Sequence, residues 1–188
     1  MKDNKTIIFK IVFATAIVTL AVLWRMINHS YNFAPNLELI TTVSVLAVII
    51  LGARWSIIVS LSSIIVSDLI IGNSSIFIFT WSAFAVIGVG AILLRKLNTQ
   101  PKKQILASFG FAVVSSFIFF VVTNLGVWLQ GWYPATPAGL ITCFTLAIPF
   151  YRTMLIGNII LVPASVAIYQ LVSAKMATKN LVINTTVR

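Results

Sequence analysis

Six long apolar stretches run through the chain, and they constrain its fold more than any other feature. A helix needs roughly 20 consecutive apolar residues to cross the hydrocarbon core of a bilayer. The stretches occupy about residues 7–26, 39–53, 56–71, 76–94, 104–125 and 153–172. Hydrophobic residues make up 60% of the chain and charged residues only 9%, whereas soluble domains carry about 25% charge. The sequence therefore predicts an all-α integral membrane protein with six transmembrane helices and one domain, residues 1–188.

The segment Pro137–Phe150 is apolar but too short for an ordinary span. We expect a re-entrant or interfacial helix here, between spans five and six. With six spans and a cytoplasmic N-terminus, 11 of the 13 Lys and Arg residues face the cytoplasm; a further crossing at Pro137–Phe150 would leave only 9 there. Because basic residues gather on cytoplasmic loops, both termini are predicted to lie in the cytoplasm, with the spans in the plasma (inner) membrane.

The net charge of +10 is explained largely by this topology. Most of the basic residues belong to the predicted cytoplasmic loops and tails, where membrane proteins concentrate them. The sequence contains no nucleic-acid-binding motif that combines basic and aromatic residues. The lipid bilayer is therefore the expected partner, and nucleic acid is not.

Polar and aromatic side chains collect at the predicted outer ends of the spans. The stretch TNLGVWLQGWYPAT, residues 123–136, places amides, indoles and a phenol together in an otherwise apolar chain. Intramembrane polar groups normally face protein or water, so we expect an outward-facing ligand pocket. Its predicted ligand-binding residues are Asn32, Asp68, Asn124, Trp128, Tyr133, Arg152 and Asn158.

Several of these residues also have structural interpretations. Asp68 lies among apolar neighbours, so it contacts a ligand, pairs with Arg152 or caps the backbone near Gly72. Arg152 is suited to a bidentate grip on a carboxylate or phosphate, but it could equally snorkel to the surface. Asn158 is either a ligand contact or a tie between two helices. Trp128 could instead belong to the belt of aromatic residues at the membrane interface.

Small residues mark two candidate packing surfaces. Ser56, Ser60, Ser63 and Ser67 follow one face of span three, which favours close helix packing over a polar lining. In span one, Ala14 and Ala21 share a face, with Thr15 and Thr19 beside it. This surface is predicted to dock another helix, either within the chain or in a partner.

The sequence contains no recognised catalytic motif. The zinc-protease pattern H-E-x-x-H, the G-x-S-x-G elbow and the Walker A loop are all missing. Glu38 and Asp68 are the two outer acids, but nothing else supports a carboxylate dyad. We predict no catalytic residue, no metal site and no cofactor, and any ATP-driven step would need partner proteins.

Three stretches carry a resemblance to a known family: NFAPNLELI, RWSIIVSLSSIIVSDLIIG and TNLGVWLQGWYPATPAGLITCFTLAIPFYRTMLIGN. They resemble a family of bacterial membrane proteins of unknown function (DUF6580). That family is in turn similar to the S components of energy-coupling factor (ECF) transporters. This resemblance implies a six-helix protein that binds a vitamin-like micronutrient at its outer face. It also implies a transmembrane coupling protein and ATPases as partners.

S components commonly dock through an Ala-x-x-x-Ala surface on the first helix. Here Ala14 is followed four residues later by Val18, and the nearest small pair at that spacing is Thr15 and Thr19. The predicted docking residues are therefore Ala14, Thr15, Thr19 and Ala21, in a departure from the usual pattern.

Three hypotheses follow for the function. The first is a small-molecule binding and uptake subunit. The second is a structural or assembly membrane protein without a ligand. The third is a membrane enzyme acting on lipid or glycan. A polar cavity open to solvent favours the first, and a closed ion pair without a cavity favours the second.

Overall fold

Helices and short connections make up the part of the chain that the structure describes. The computed structural model describes residues 2–72, 75–97 and 100–186. The helices are α1 (Lys2–Tyr31), α2 (Ile40–Ile50), α3 (Ala53–Ile71), α4 (Phe77–Gly90), α5 (Ile92–Arg95), α6 (Pro101–Leu129) and α7 (Pro137–Thr186). No strand occurs within these ranges, which confirms the all-α prediction.

Five helices are long and apolar enough to cross a membrane. They are α1, α3, the continuous stretch of α4 and α5, α6 and α7. The remaining apolar helix, α2, has 11 residues and is about 16 Å long, well short of the ~30 Å hydrocarbon core. Nine of its residues are buried, because α1, α3, α4, α5 and α7 all contact it. The structure therefore supports a membrane protein with five candidate spans around an internal short helix.

The prediction of a separate interfacial helix at Pro137–Phe150 is wrong. These residues form the first part of α7, which continues without a break to Thr186. Pro149 and Pro163 lie inside this helix, although proline removes a backbone donor and usually ends a helix. In apolar surroundings, packing against neighbouring helices can hold such a helix together. Helix α7 packs extensively along α6, and this tertiary contact overrides the proline signal.

Helix α1 extends further than its apolar stretch. It continues through Asn28 and His29 to Tyr31, beyond the apolar stretch of about residues 7–26. The Asn28 side chain accepts a hydrogen bond from Ala34 N at 2.9 Å and donates to Ala34 O at 2.8 Å. These bonds fold the loop back onto the last turn of α1, so the polar residues of that turn remain helical.

Polar groups gather at two opposite ends of the bundle. Near one end, the Arg95 guanidinium lies beside Gly52, and Gln104 Nε2 donates to Leu94 O at 2.9 Å. We call this the basic end, since Arg54, Arg95, Lys96, Lys102 and Lys103 occur at the helix termini there. The opposite end, defined by Arg25 and Asp68, is the cavity end.

The serine stripe of α3 packs against two neighbouring helices. All four serines are buried. Ser56 Oγ donates to Ser44 O of α2 at 3.0 Å, and Ser60 Oγ donates to Phe84 O of α4 at 2.7 Å. A methyl group on Gly88 would lie 3.2 Å from the Cα atom of Ile57, so α3 and α4 approach closely. This confirms helix packing as the role of the stripe.

The small residues of α1 divide between the core and the surface. Ala14 and Ala21 are buried in the cluster formed with α2 and α3. Thr15 and Thr19 are exposed on the opposite side of α1. The alanines therefore pack within the chain, and only the threonines remain accessible to lipid or a partner.

Candidate functional site

A cavity with two lobes lies at the cavity end of the bundle. The first, which we call the α2 lobe, has a volume of about 370 Å³ and reaches Glu38, Ile40 and Phe84. The second, the α6 lobe, has a volume of about 500 Å³ and reaches Asp68 and Asn124. Both volumes fall within the range of small-molecule pockets. The lobes are adjacent because they share the lining residues Arg25, His29, Asn36, Ile71, Thr80, Phe119, Phe150 and Met154.

Asp68 is held by two helices and is only 4% exposed. Its Oδ1 atom lies 2.5 Å from Arg25 Nη1, and its Oδ2 atom accepts a hydrogen bond from Trp81 Nε1 at 2.7 Å. The partner of Asp68 is therefore Arg25 of α1, and the predicted alternative of a pair with Arg152 is wrong. The bonds join α1, α3 and α4 around one buried carboxylate, which explains how an acid is tolerated at this depth.

Arg25 lines the cavity, and only part of its guanidinium is hydrogen-bonded to the described residues. Its Nη1 atom donates to Asp68 and to Ser67 Oγ. Nε and Nη2 donate to none of the described residues, and 30% of the side chain is exposed. A guanidinium offers a planar fork of donors that matches a carboxylate or phosphate. Asp68 thus fixes the position of Arg25 while leaving part of the fork available.

Glu38 is the acid of the α2 lobe. It precedes α2, and its Oε2 atom accepts a hydrogen bond from Thr41 N at 2.9 Å. Its Oε1 atom is buried without a partner among the described residues. Burial raises the pKa of the Glu38 carboxyl above its ordinary value, and the hydrogen bond from Thr41 N only partly offsets this. A buried carboxyl in such surroundings tends to hold its proton.

The α6 lobe combines an amide, a phenol and aromatic rings. Asn124 Nδ2 donates to Phe120 O at 2.7 Å, which leaves the amide oxygen available. The Phe120 ring packs against the Tyr151 ring with centroids 4.8 Å apart. The Tyr151 hydroxyl bonds to none of the described residues, and Tyr151 lines the lobe. This wall can offer both hydrogen bonds and flat apolar surface.

Of the seven predicted ligand-binding residues, the structure places three at the cavity. Asp68 and Asn124 line the α6 lobe, and Asn32 lines the α2 lobe at the end of α1. Trp128 instead donates its indole N–H to Pro134 O at 3.0 Å, bracing the turn before α7. Tyr133 belongs to the same turn and lines neither lobe.

Arg152 and Asn158 have other positions on α7. Arg152 is exposed and lines neither lobe. Asn158 is 1% exposed, and its Nδ2 atom donates to Ser116 Oγ of α6 at 3.1 Å. Asn158 is therefore a tie between two helices, which was one of its two predicted interpretations.

Sequence reasoning missed the residues that connect the two lobes. Arg25, His29 and Asn36 line both lobes, but none of them was among the seven predicted ligand-binding residues. The periodicity of α1 could have revealed them, since Arg25 and His29 are four residues apart and share a helical face. Trp81 carried no signal, because a tryptophan near a membrane surface is ordinary.

Among the described residues, no group of three or more His, Cys, Asp or Glu side chains is arranged to hold a metal ion. Glu38 and Asp68 line different lobes.

The fold and the cavity define a class: helical membrane proteins with a polar cavity at one end of the bundle. The family of unknown function DUF6580 matches residues 5–181, and the chain belongs to it. No curated protein and no solved structure matches the chain.

Proposed function

We propose that this protein is a membrane-embedded binding and uptake subunit for a vitamin-like or related small molecule. The single observation that carries the proposal is the two-lobed cavity at one end of a bundle of membrane-spanning helices. It is lined by hydrogen-bonding groups that have no partner among the described residues, namely Arg25 Nε and Nη2 and the Tyr151 hydroxyl. Partnerless polar groups around an apolar-walled cavity are typical of ligand sites.

The orientation and the partners belong to the same proposal. Basic residues cluster at the basic end, which by the positive-inside rule faces the cytoplasm. The cavity then opens to the outside. The resemblance to ECF S components supplies the rest: a transmembrane coupling protein and ATPases would provide energy, and Thr15 and Thr19 remain accessible on α1 for docking.

A structural role without ligand is the second candidate, and one observation favours it. Asp68 is fully engaged by Arg25 and Trp81, as expected for a network that pins three helices together. This network and the cavity are compatible, because Arg25 participates in both. Ligand binding gives Nε and Nη2 of the guanidinium an acceptor, whereas a purely structural role leaves these donors to water.

The test is to purify the protein in mild detergent, denature it and identify released small molecules by mass spectrometry. An Asn124→Ala, Tyr151→Phe variant alters the wall of the α6 lobe. Arg152→Ala is the matched control, because Arg152 is exposed and outside the cavity. We expect a compound from the wild type and the control but not from the folded cavity variant. Wild-type protein that releases nothing would contradict the proposal.

A further inference from the structure

Three hydrogen-bonding side chains meet where the lobes join. Arg25, His29 and Asn36 line both lobes. His29 and Asn36 are exposed and bond through their side chains to none of the described residues. Arg25 keeps Nε and Nη2 available. An imidazole, an amide and a guanidinium all offer N–H donors, so this junction is rich in donors.

The negative charges nearest the junction are already occupied or buried. One carboxylate oxygen of Asp68 accepts a hydrogen bond from Arg25, and the other accepts one from Trp81. Glu38 lines only the α2 lobe. Burial also raises the pKa of the Glu38 carboxyl, which favours its neutral form. The guanidinium therefore presents its donors to the cavity without a second competing carboxylate beside them.

Apolar rings stand beside the same junction. Phe119 and Phe150 line both lobes, and Phe84 closes the α2 lobe. The Phe119 ring packs against the buried Phe84 ring, with centroids 5.0 Å apart. The rings of Phe119 and Phe150 are suited to contact the apolar body of a small molecule.

Building on the proposed function, we infer that the ligand is a small organic anion. Its carboxylate or phosphate group is bound by Nε and Nη2 of Arg25 at the lobe junction, with His29 and Asn36 beside it. Its apolar body lies against Phe119 and Phe150. A guanidinium fork binds either anionic group through two parallel hydrogen bonds, and Asp68 positions the fork from behind.

Arg25 variants test this inference. Arg25→Lys keeps the positive charge and an ion pair with Asp68 but loses the fork. The double variant Arg25→Gln, Asp68→Asn removes the whole pair and leaves no unpaired buried charge. Arg152→Ala is the control, since it removes one positive charge outside the cavity. Gel filtration and thermal unfolding establish that each variant is folded.

The first readout is the charge of the compound released on denaturation. We expect an organic anion from the wild type and the control, and none from the double variant. A neutral or cationic compound would leave the proposed function intact and overturn this inference. A phospholipid, recognised by its mass, would overturn it too, as would an anion retained by the double variant.

The second readout uses added probes and applies even when the wild type releases nothing. Thermal shift is titrated with benzoate, phenyl phosphate and benzamide, the neutral analogue of benzoate. We expect the anions to stabilise the wild type, about tenfold weaker binding in Arg25→Lys and no stabilisation of the double variant. Equal responses to benzoate and benzamide, or none to either anion, would overturn the inference.

Discussion

The indole N–H of Trp81 lies 2.7 Å from Oδ2 of Asp68, on the side of the carboxylate opposite Arg25. Each oxygen of Asp68 therefore has its own donor, one from α4 and one from α1. A carboxylate at this depth is tolerated because both oxygens are satisfied. Because Trp81 satisfies Oδ2, Arg25 bonds Asp68 through Nη1 alone, and its Nε and Nη2 donors are not used for this pair.

Asp68→Ala should destabilise the protein by about 2 kcal/mol, because it leaves the partly buried Arg25 without its counter-charge. The double variant Arg25→Gln, Asp68→Asn should recover much of that loss. Trp81→Phe should cost about 1 kcal/mol, the value of one hydrogen bond. Thermal unfolding in detergent gives all three values. An equal loss of stability in Asp68→Ala and in the double variant would contradict the ion-pair account.

Glu38 should make stability fall as the pH rises. Its pKa in the folded protein is raised above the ordinary value of 4.5, so the folded state holds the proton to higher pH than the unfolded chain. Between the two pKa values the folded state binds more protons, and stability decreases with increasing pH. Glu38→Gln should flatten this slope, as measured by unfolding temperature from pH 4 upward in steps of about one unit. An unchanged slope in the variant would show that Glu38 does not cause it.

Gly139 should tolerate no side chain. A Cβ atom there would lie 2.1 Å from the backbone oxygen of Pro134, so Gly139→Ala must displace the turn that precedes α7. We expect an unfolding temperature lower by about 5 °C or more. Gly110→Ala is the control, because nothing lies within 4 Å of a Cβ atom there and alanine favours the helix. A similar effect at both positions would argue against the close approach at Pro134.

Asn158 should contribute to stability but not to ligand binding. Its amide ties α7 to α6 through Ser116 Oγ and lines neither lobe. Asn158→Ala should cost about 0.6 kcal/mol, the average for hydrogen bonds between membrane helices, and no more than about 1.7 kcal/mol. Ser116→Ala should cost a similar amount, and the double variant should cost less than the sum. Loss of a bound compound from a stable Asn158→Ala protein would return this residue to the ligand site.

Much of the fold could be predicted because hydrophobicity dominates it. The long apolar stretches became helices, and α6 continues through both Asn124 and Trp128. The errors came from local signals that tertiary contacts override. The short apolar segment Pro137–Phe150 suggested a separate helix, but it is the first part of α7, which packs along α6.

The site was predicted in part, because sequence shows which residues are polar but not where they point. Asp68 and Asn124 line the α6 lobe, whereas Arg152 of α7 is exposed and lines neither lobe. Residues one or two positions apart on a helix lie on different faces, so one can line the cavity while the next is exposed at the surface. Only the packing of α1 against α3 revealed that Arg25 reaches Asp68.

The buried helix α2 has a consequence for how the protein enters the membrane during synthesis. A helix of 11 residues is too short to partition into lipid by itself. It is joined to α3 through Leu51 and Gly52, where Gly52 has a φ of 116°, so the two can enter together as one hairpin. Insertion of α2 must therefore wait until α3 has been translated. Helix α1 would enter the membrane first. The walls of the cavity would be complete only after α6 and α7 have been inserted.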